Sequence, residues 1–130
     1  MIQLSVNWKH AGVWALTVIL AALFLLAGGS KLAGSPKAVG DFAHWGYAAW
    51  FLYVIGAIEA AGAIGLVIPC VAGFSALLLG VTMLGASLTH LVHHEMMAVP
   101  IPLVILGLLA VVGYVRRGPL VTLYERLTDG

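Results

Sequence analysis

Charge and cysteine are the two scarcest resources of this chain. Six Lys and Arg and five Asp and Glu are spread over 130 residues, 8% charged against about 25% in a soluble domain. The net charge of +1 with histidines neutral offers no electrostatic field for nucleic acid or an acidic macromolecule. The single cysteine, Cys70, excludes an intrachain disulfide and a thiolate metal cage, and is expected to be structural. No glycine-rich phosphate loop, nucleophile elbow or cysteine pair is present. What fills the chain instead is apolar surface: 62% of residues are hydrophobic. The composition is that of an integral membrane protein, with the lipid bilayer as its first partner.

Four apolar runs are expected to cross the bilayer as one all-α domain over residues 1–130, a four-helix bundle with spans near 11–29, 48–68, 72–92 and 99–116. The first run, with Lys9 before it and Ala27-Gly28-Gly29-Ser30 after it, resembles a cleaved signal peptide in outline, but it is long for a signal core, and its loss would leave an odd number of helices. Between the first two spans, Ser35 is placed to cap a short interfacial helix over 36–45, with Pro36 at its first position. Trp45, Tyr47 and Trp50 follow as an aromatic belt. The connection from Pro69 to Gly73 is so short that the second and third spans must be antiparallel neighbours. The tail 117–130 has Leu120, Leu123, Tyr124 and Leu127 on one side and suits the membrane surface. With four spans, Lys9, Arg116, Arg117 and Arg126 share one side against Lys31 and Lys37 on the other, which favours cytoplasmic N- and C-termini.

Three of the five histidines, His90, His93 and His94, cluster where the third span ends. On a helix Ala76, Gly80, Met83, Ser87, His90 and His94 form a stripe roughly 80° wide, which needs a partner. The acid inside the second span, Glu59, is costly there and calls for a partner of its own, with charge retained only beside a cation. Lys31, Thr82, Ser87 and His90 are the candidates. In an antiparallel pair, residues at equal depth have indices summing to about 141, so Glu59 is level with Thr82 and roughly 12 Å from the depth of His90. A polar line from Glu59 through Thr82 or Ser87 to His90 is the expectation, with a structural role for each residue standing beside the chemical one. His90, His93 and His94 also have the spacing of a metal or haem ligand set, but a closed site would need ligands from other segments. Five histidines are too few for the membrane di-iron desaturase pattern.

From Phe24 to Arg117 the sequence resembles the DoxX family, in particular its DoxX-like branch. The resemblance rests on Gly28-Gly29-Ser30-Lys31-Leu32, Trp45-Gly46-Tyr47 with Trp50-Phe51, Ile55-Gly56-Ala57-Ile58-Glu59, Gly62-Ala-Ile-Gly65 leading to Pro69, and Met83-Leu84-Gly85-Ala86 before Thr89-His90. Ala48 stands where many relatives have proline, and His93-His94 is an addition to the pattern. The resemblance implies a multi-pass bundle of the prokaryotic cytoplasmic membrane, with Lys31, Glu59 and His90 as its characteristic polar residues. It further implies either a redox-associated accessory subunit or an assembly factor for a partner membrane protein. On the first reading, an outward-facing pocket binds a quinone-like ligand: His90 hydrogen-bonds its carbonyl oxygen, Glu59 relays protons, Lys31 closes the polar line, and Trp45, Tyr47, Trp50, Ser87 and Thr82 line the pocket. On the second, a non-catalytic scaffold holds a partner membrane protein through its small-residue faces. A membrane redox partner protein and a homo-oligomer are the partners expected besides the bilayer.

Overall fold

The computed structural model describes residues 2–130, with side chains described from Trp8 onward. Six helices follow in order: α1 (Ile2–Leu32), α2 (Pro36–His44), α3 (Ala49–Leu66), α4 (Pro69–Val92), α5 (Pro100–Val115) and α6 (Gly118–Asp129). The described residues contain no strand. This is the helical membrane bundle the composition requires, because backbone groups in lipid must find partners within their own segment.

Helix ends are set locally. At Gly34, with φ 67°, α1 stops: the Ser35 amide reaches the Ser30 carbonyl and the Gly34 amide that of Lys31. This is a Schellman closure, which needs one left-handed residue and takes glycine most cheaply. Gly46, with φ 82°, ends α2 in the same way, the Tyr47 amide bonding the Phe42 carbonyl. Ser35 caps α2 as its spacing predicts, its Oγ accepting from the Ala38 amide. Pro69 does not terminate the second span: it occupies the first turn of α4, and the turn is reduced to Val67 and Ile68. Proline loses no helical hydrogen bond in that position.

Among the described residues, three helices are long and apolar enough to cross a membrane by themselves. With 16 residues, α5 qualifies only together with α6, from which it is bent by 69°. It nevertheless runs along α4 from Ser87 to Gly73. Near its start the Ser87 hydroxyl of α4 donates to the Val99 carbonyl, and at its end Gly73 of α4 lies against the Arg116 carbonyl. From Ser87 to Gly73 is about 21 Å of helix. The bundle therefore has an α2 end and an α6 end.

Packing closes α1 on α3, α3 on α4 and α4 on α5, with α5 returning to α1. Glycine lets backbones touch: a Cβ on Gly28 would lie 2.6 Å from the Ala60 nitrogen, and one on Gly56 would lie 2.8 Å from Lys31 Cβ. Without a hydrophobic drive between helices in lipid, such contacts decide which faces meet. The small-residue stripe of α4 is covered by α5, not by the helix that carries Glu59: Gly80 faces Leu106, and Ala76 faces Gly113. The buried core joins Leu20, Phe24, Ala63, Leu66, Ala76, Leu79, Leu109 and Val112. All of these lie toward the α6 end, and the α2 end is left hollow.

Candidate functional site

The hollow is a pocket of about 660 Å³ bounded by α1, α2, α3 and α4. Its deepest charged groups, the floor of its polar lining, form an ion pair, and apolar Leu23, Phe24 and Leu78 reach further in. Lys31 Nζ stands 3.1 Å from Glu59 Oε1 and donates to Oε2 at 3.2 Å. The Glu59 side chain is only 4% exposed and that of Lys31 19%, so the ammonium is the member that can meet a ligand. The pair follows from the glycine contact below it. Gly28 lies against the Gly56 carbonyl and the Glu59 Cβ, and the Lys31 stem runs beside Gly56 toward the acid one turn deeper. Two charges removed from water in this way are stable only together.

Of the partners open to Glu59, the fold selects Lys31. Thr82 lines the pocket but spends its hydroxyl on the Leu79 carbonyl of its own helix. Ser87 is buried on the α5 side, bonded to Val99, and does not line the pocket. The polar line from Glu59 through Thr82 or Ser87 to His90 is therefore not built.

His90 belongs to a second cluster at the pocket mouth. Past the end of α4, His94 takes a left-handed conformation, φ 59°, and the Glu95 amide returns to the His90 carbonyl at 2.8 Å. This is the same closure made elsewhere by Gly34 and Gly46. It also swings the Glu95 carboxylate onto His90, Oε1 lying 2.7 Å from Nδ1. Trp45 Nε1 donates to both oxygens, at 3.1 and 3.3 Å, and its ring meets the His90 imidazole edge-on at 5.4 Å. His44 Nε2 lies 3.8 Å from the same acid. The His90 hydrogen bond, aided by Trp45, holds the Glu95 carboxyl below the usual carboxylate range against its partial desolvation. An ionised carboxylate only accepts, so Nδ1 of His90 carries the proton and Nε2 is the nitrogen left for a ligand.

Aromatic side chains complete the mouth. Phe42 of α2 is buried against Trp45, Tyr47 and Phe51, with ring centroids 5.5, 5.7 and 6.1 Å away. Tyr47 donates to Thr89 Oγ1 at 2.6 Å, since the Thr89 hydroxyl hydrogen goes to the Gly85 carbonyl. Trp45 and Tyr47 thus line the pocket as expected. Trp50 does not: it is 66% exposed and leans on the outside of Phe51. Along the pocket's side, Leu23, Leu78 and Val81 are 40, 45 and 61% exposed at mid-span, so the cavity has an apolar margin on the membrane-facing surface.

The three clustered histidines do not converge. His93 Nδ1 donates to the Thr89 carbonyl, His94 is exposed, and His90 is engaged by Glu95. Among the described residues no three His, Cys, Asp or Glu are placed to hold a metal. Sequence reasoning weighed Glu95 only among the residues left to complete a metal site and missed its bond to His90, whose signal is its position five residues after His90 just beyond a helix end. Phe51 carried only its place in the Trp50-Phe51 motif, and Phe42 only its place with Val39 and Ala43 on one face of the short helix.

A family model described as the DoxX-like family matches residues 15–112, which takes in the floor and the mouth of the pocket. No curated protein and no solved structure matches the chain.

Proposed function

From the premise that this chain belongs to the DoxX-like family of multi-pass membrane proteins, we infer that it serves as a redox-associated accessory subunit that binds a quinone-like lipophilic ligand in the pocket. The observation that carries this reading is the pocket's polarity pattern: an apolar cavity of about 660 Å³ with a membrane-facing margin, one enclosed charged pair, Lys31 with Glu59, and an exposed one, Lys37 with Asp41, at its rim. A membrane-dissolved carbonyl compound suits that pattern. Its apolar body matches Leu23, Leu78 and Val81, and its oxygen accepts from the Lys31 ammonium, which Glu59 holds in place and in charge. Lys31 thus takes the donor role for which His90 is the first candidate in the sequence. Nε2 of His90, some 12 Å nearer the mouth, is placed to exchange a proton with bound ligand or with water. Trp45 and Tyr47 cover the opening. In the cytoplasmic membrane with both termini inside, as the basic residues favour, this mouth faces outward.

The test is binding of a short-chain prenyl benzoquinone to purified protein, followed by Trp quenching. Wild type is expected to bind, and a Lys31→Met, Glu59→Leu double variant, which removes the pair without orphaning a charge, to lose about tenfold or more in affinity. No binding of benzoquinone or naphthoquinone, or equal affinity in the double variant, overturns the reading.

One observation supports a second function, a scaffold for a partner membrane protein. A second groove of about 370 Å³ between α4 and α5 has Leu77, Val81 and Leu84 exposed along its α4 rim, an apolar edge against which another helix can pack. Crosslinking from Leu84 to a partner, with quinone binding absent, favours that reading over the first.

A further inference from the structure

At the opposite end of the bundle the corner between α5 and α6 holds charge that the protein does not neutralise. The Arg116 guanidinium lies over the Trp14 ring at 5.0 Å, and its Nη2 is buried with no hydrogen-bond acceptor among the described residues. The Arg117 guanidinium lies over Tyr114 at 3.9 Å and donates through Nη1 to the Tyr114 carbonyl. The ion pairs among the described residues are Lys31 with Glu59, Lys37 with Asp41, and His44 and His90 with Glu95, all toward the α2 end. Neither arginine therefore has a carboxylate partner. An aromatic face attracts a guanidinium but accepts none of its in-plane hydrogen bonds.

The corner is built rather than loose. A Cβ on Gly73 would lie 2.7 Å from the Arg116 carbonyl and 3.1 Å from Leu120 Cδ1, so α4 braces the bend directly. From there α6 leaves at 69° to α5, with Leu123, Tyr124 and Leu127 exposed. An exposed apolar helix side that follows directly on two guanidiniums without a carboxylate asks for a ligand that is hydrocarbon at one end and anionic at the other.

We propose that the α5–α6 corner binds the headgroup of an anionic phospholipid, with its phosphate on the guanidiniums of Arg116 and Arg117 and its acyl chains against α6. Arg117 is exposed and Arg116 part-exposed, so their N–H groups other than the buried Nη2 are the ones that meet phosphate oxygens, and two cations without counter-charge favour a net negative headgroup over a zwitterionic one, whose ammonium they repel. The lipid stabilises the bend that sets α5, and so the packing of α4 beneath the pocket, without touching the pocket itself.

The experiment is native mass spectrometry of the full chain released from nanodiscs containing equal phosphatidylglycerol and phosphatidylcholine. Retained lipid is expected to be enriched for phosphatidylglycerol by about tenfold or more, and the enrichment to vanish in an Arg116→Gln, Arg117→Gln double variant. Lys37→Gln, at the other end, is expected to leave it intact, and Arg116→Lys, which keeps charge but loses the fork, to reduce it. Equal retention of the two lipids by wild type overturns the proposal whatever the variants do, as does enrichment that survives in the double variant. Displacement of the lipid by millimolar inorganic phosphate assigns the corner to free phosphate and also overturns it. None of these outcomes depends on quinone binding.

Discussion

The two polar sites of the pocket are made of similar groups and held by opposite means. Lys31 and Glu59 come from different spans, 28 residues apart, and meet because Gly28 and Gly56 bring two helix backbones into contact. His90 and Glu95 are five residues apart and meet because one left-handed residue, His94, reverses the chain at a helix end. The floor pair is enclosed, so each charge depends on the other, and breaking it from one side leaves a charge in an apolar interior. The mouth cluster is partly exposed, so solvent competes for every contact and the same chemistry becomes an adjustable clasp. Burial rather than residue type separates an anchor from a fastening. The pocket has one of each.

That contrast can be broken most severely at the floor. Lys31→Met alone strands Glu59 and is expected to cost about 3–5 kcal/mol, with much of it recovered when Glu59→Leu is added. Thermal unfolding in detergent measures both, and equal loss in the single and double variants would show that the two charges do not depend on each other. Next in size is the glycine contact. Gly28→Ala drives a methyl into the α3 backbone and is expected to cost about 1–3 kcal/mol and to weaken the floor pair. Gly29→Ala, with nothing within 4 Å, is expected to gain about 0.5–1 kcal/mol from helix propensity.

At the mouth the effects are smaller and depend on pH. Because folding lowers the Glu95 pKa, its contribution is complete above the ordinary carboxylate value of about 4.3 and is lost as pH falls through the depressed folded value. Trp45 emission should therefore be constant from neutral pH down to about 4.3, shift below it, and lose this dependence in Glu95→Gln. A transition centred near neutral pH would reassign the clasp to histidine titration. Smallest of all, His94→Gly should be neutral or stabilising by up to about 1 kcal/mol, since glycine enters the left-handed region without strain. A large loss would mean that the His94 side chain does more than turn the chain.

Much of the fold was legible. Ser35-Pro36 announced α2, the shortness of the link at Pro69 announced the pairing of α3 and α4, and Glu59 stood out because an acid within a span has to be explained. Partner choice was not legible. Depth counting put Thr82 level with Glu59, correctly enough, yet depth says nothing about which way a helix is turned about its axis. The α4 stripe ending in His90 invited a path toward Glu59, and the structure turns its Ala76, Gly80 and Ser87 to α5 while His90 stays at the pocket mouth. Histidine density suggested ligands, whereas one histidine bonds an acid, one bonds a carbonyl and one substitutes for glycine.

By itself, then, the sequence determined that the chain lives in a membrane, that its backbone folds as helices, and where most of those helices stop. These outcomes follow from local causes: lipid offers no partner to a bare amide, and a left-handed residue closes a helix within a few positions. Only the tertiary structure decided that Lys31 is the partner of Glu59, that the end carrying α2 is hollow, and that Glu95 fastens Trp45 and His90 across its mouth. Lipid is as apolar as leucine, so hydrophobicity cannot choose among the faces of an apolar helix. Close contacts such as Gly28 on Gly56 choose, and they exist only once the helices have met.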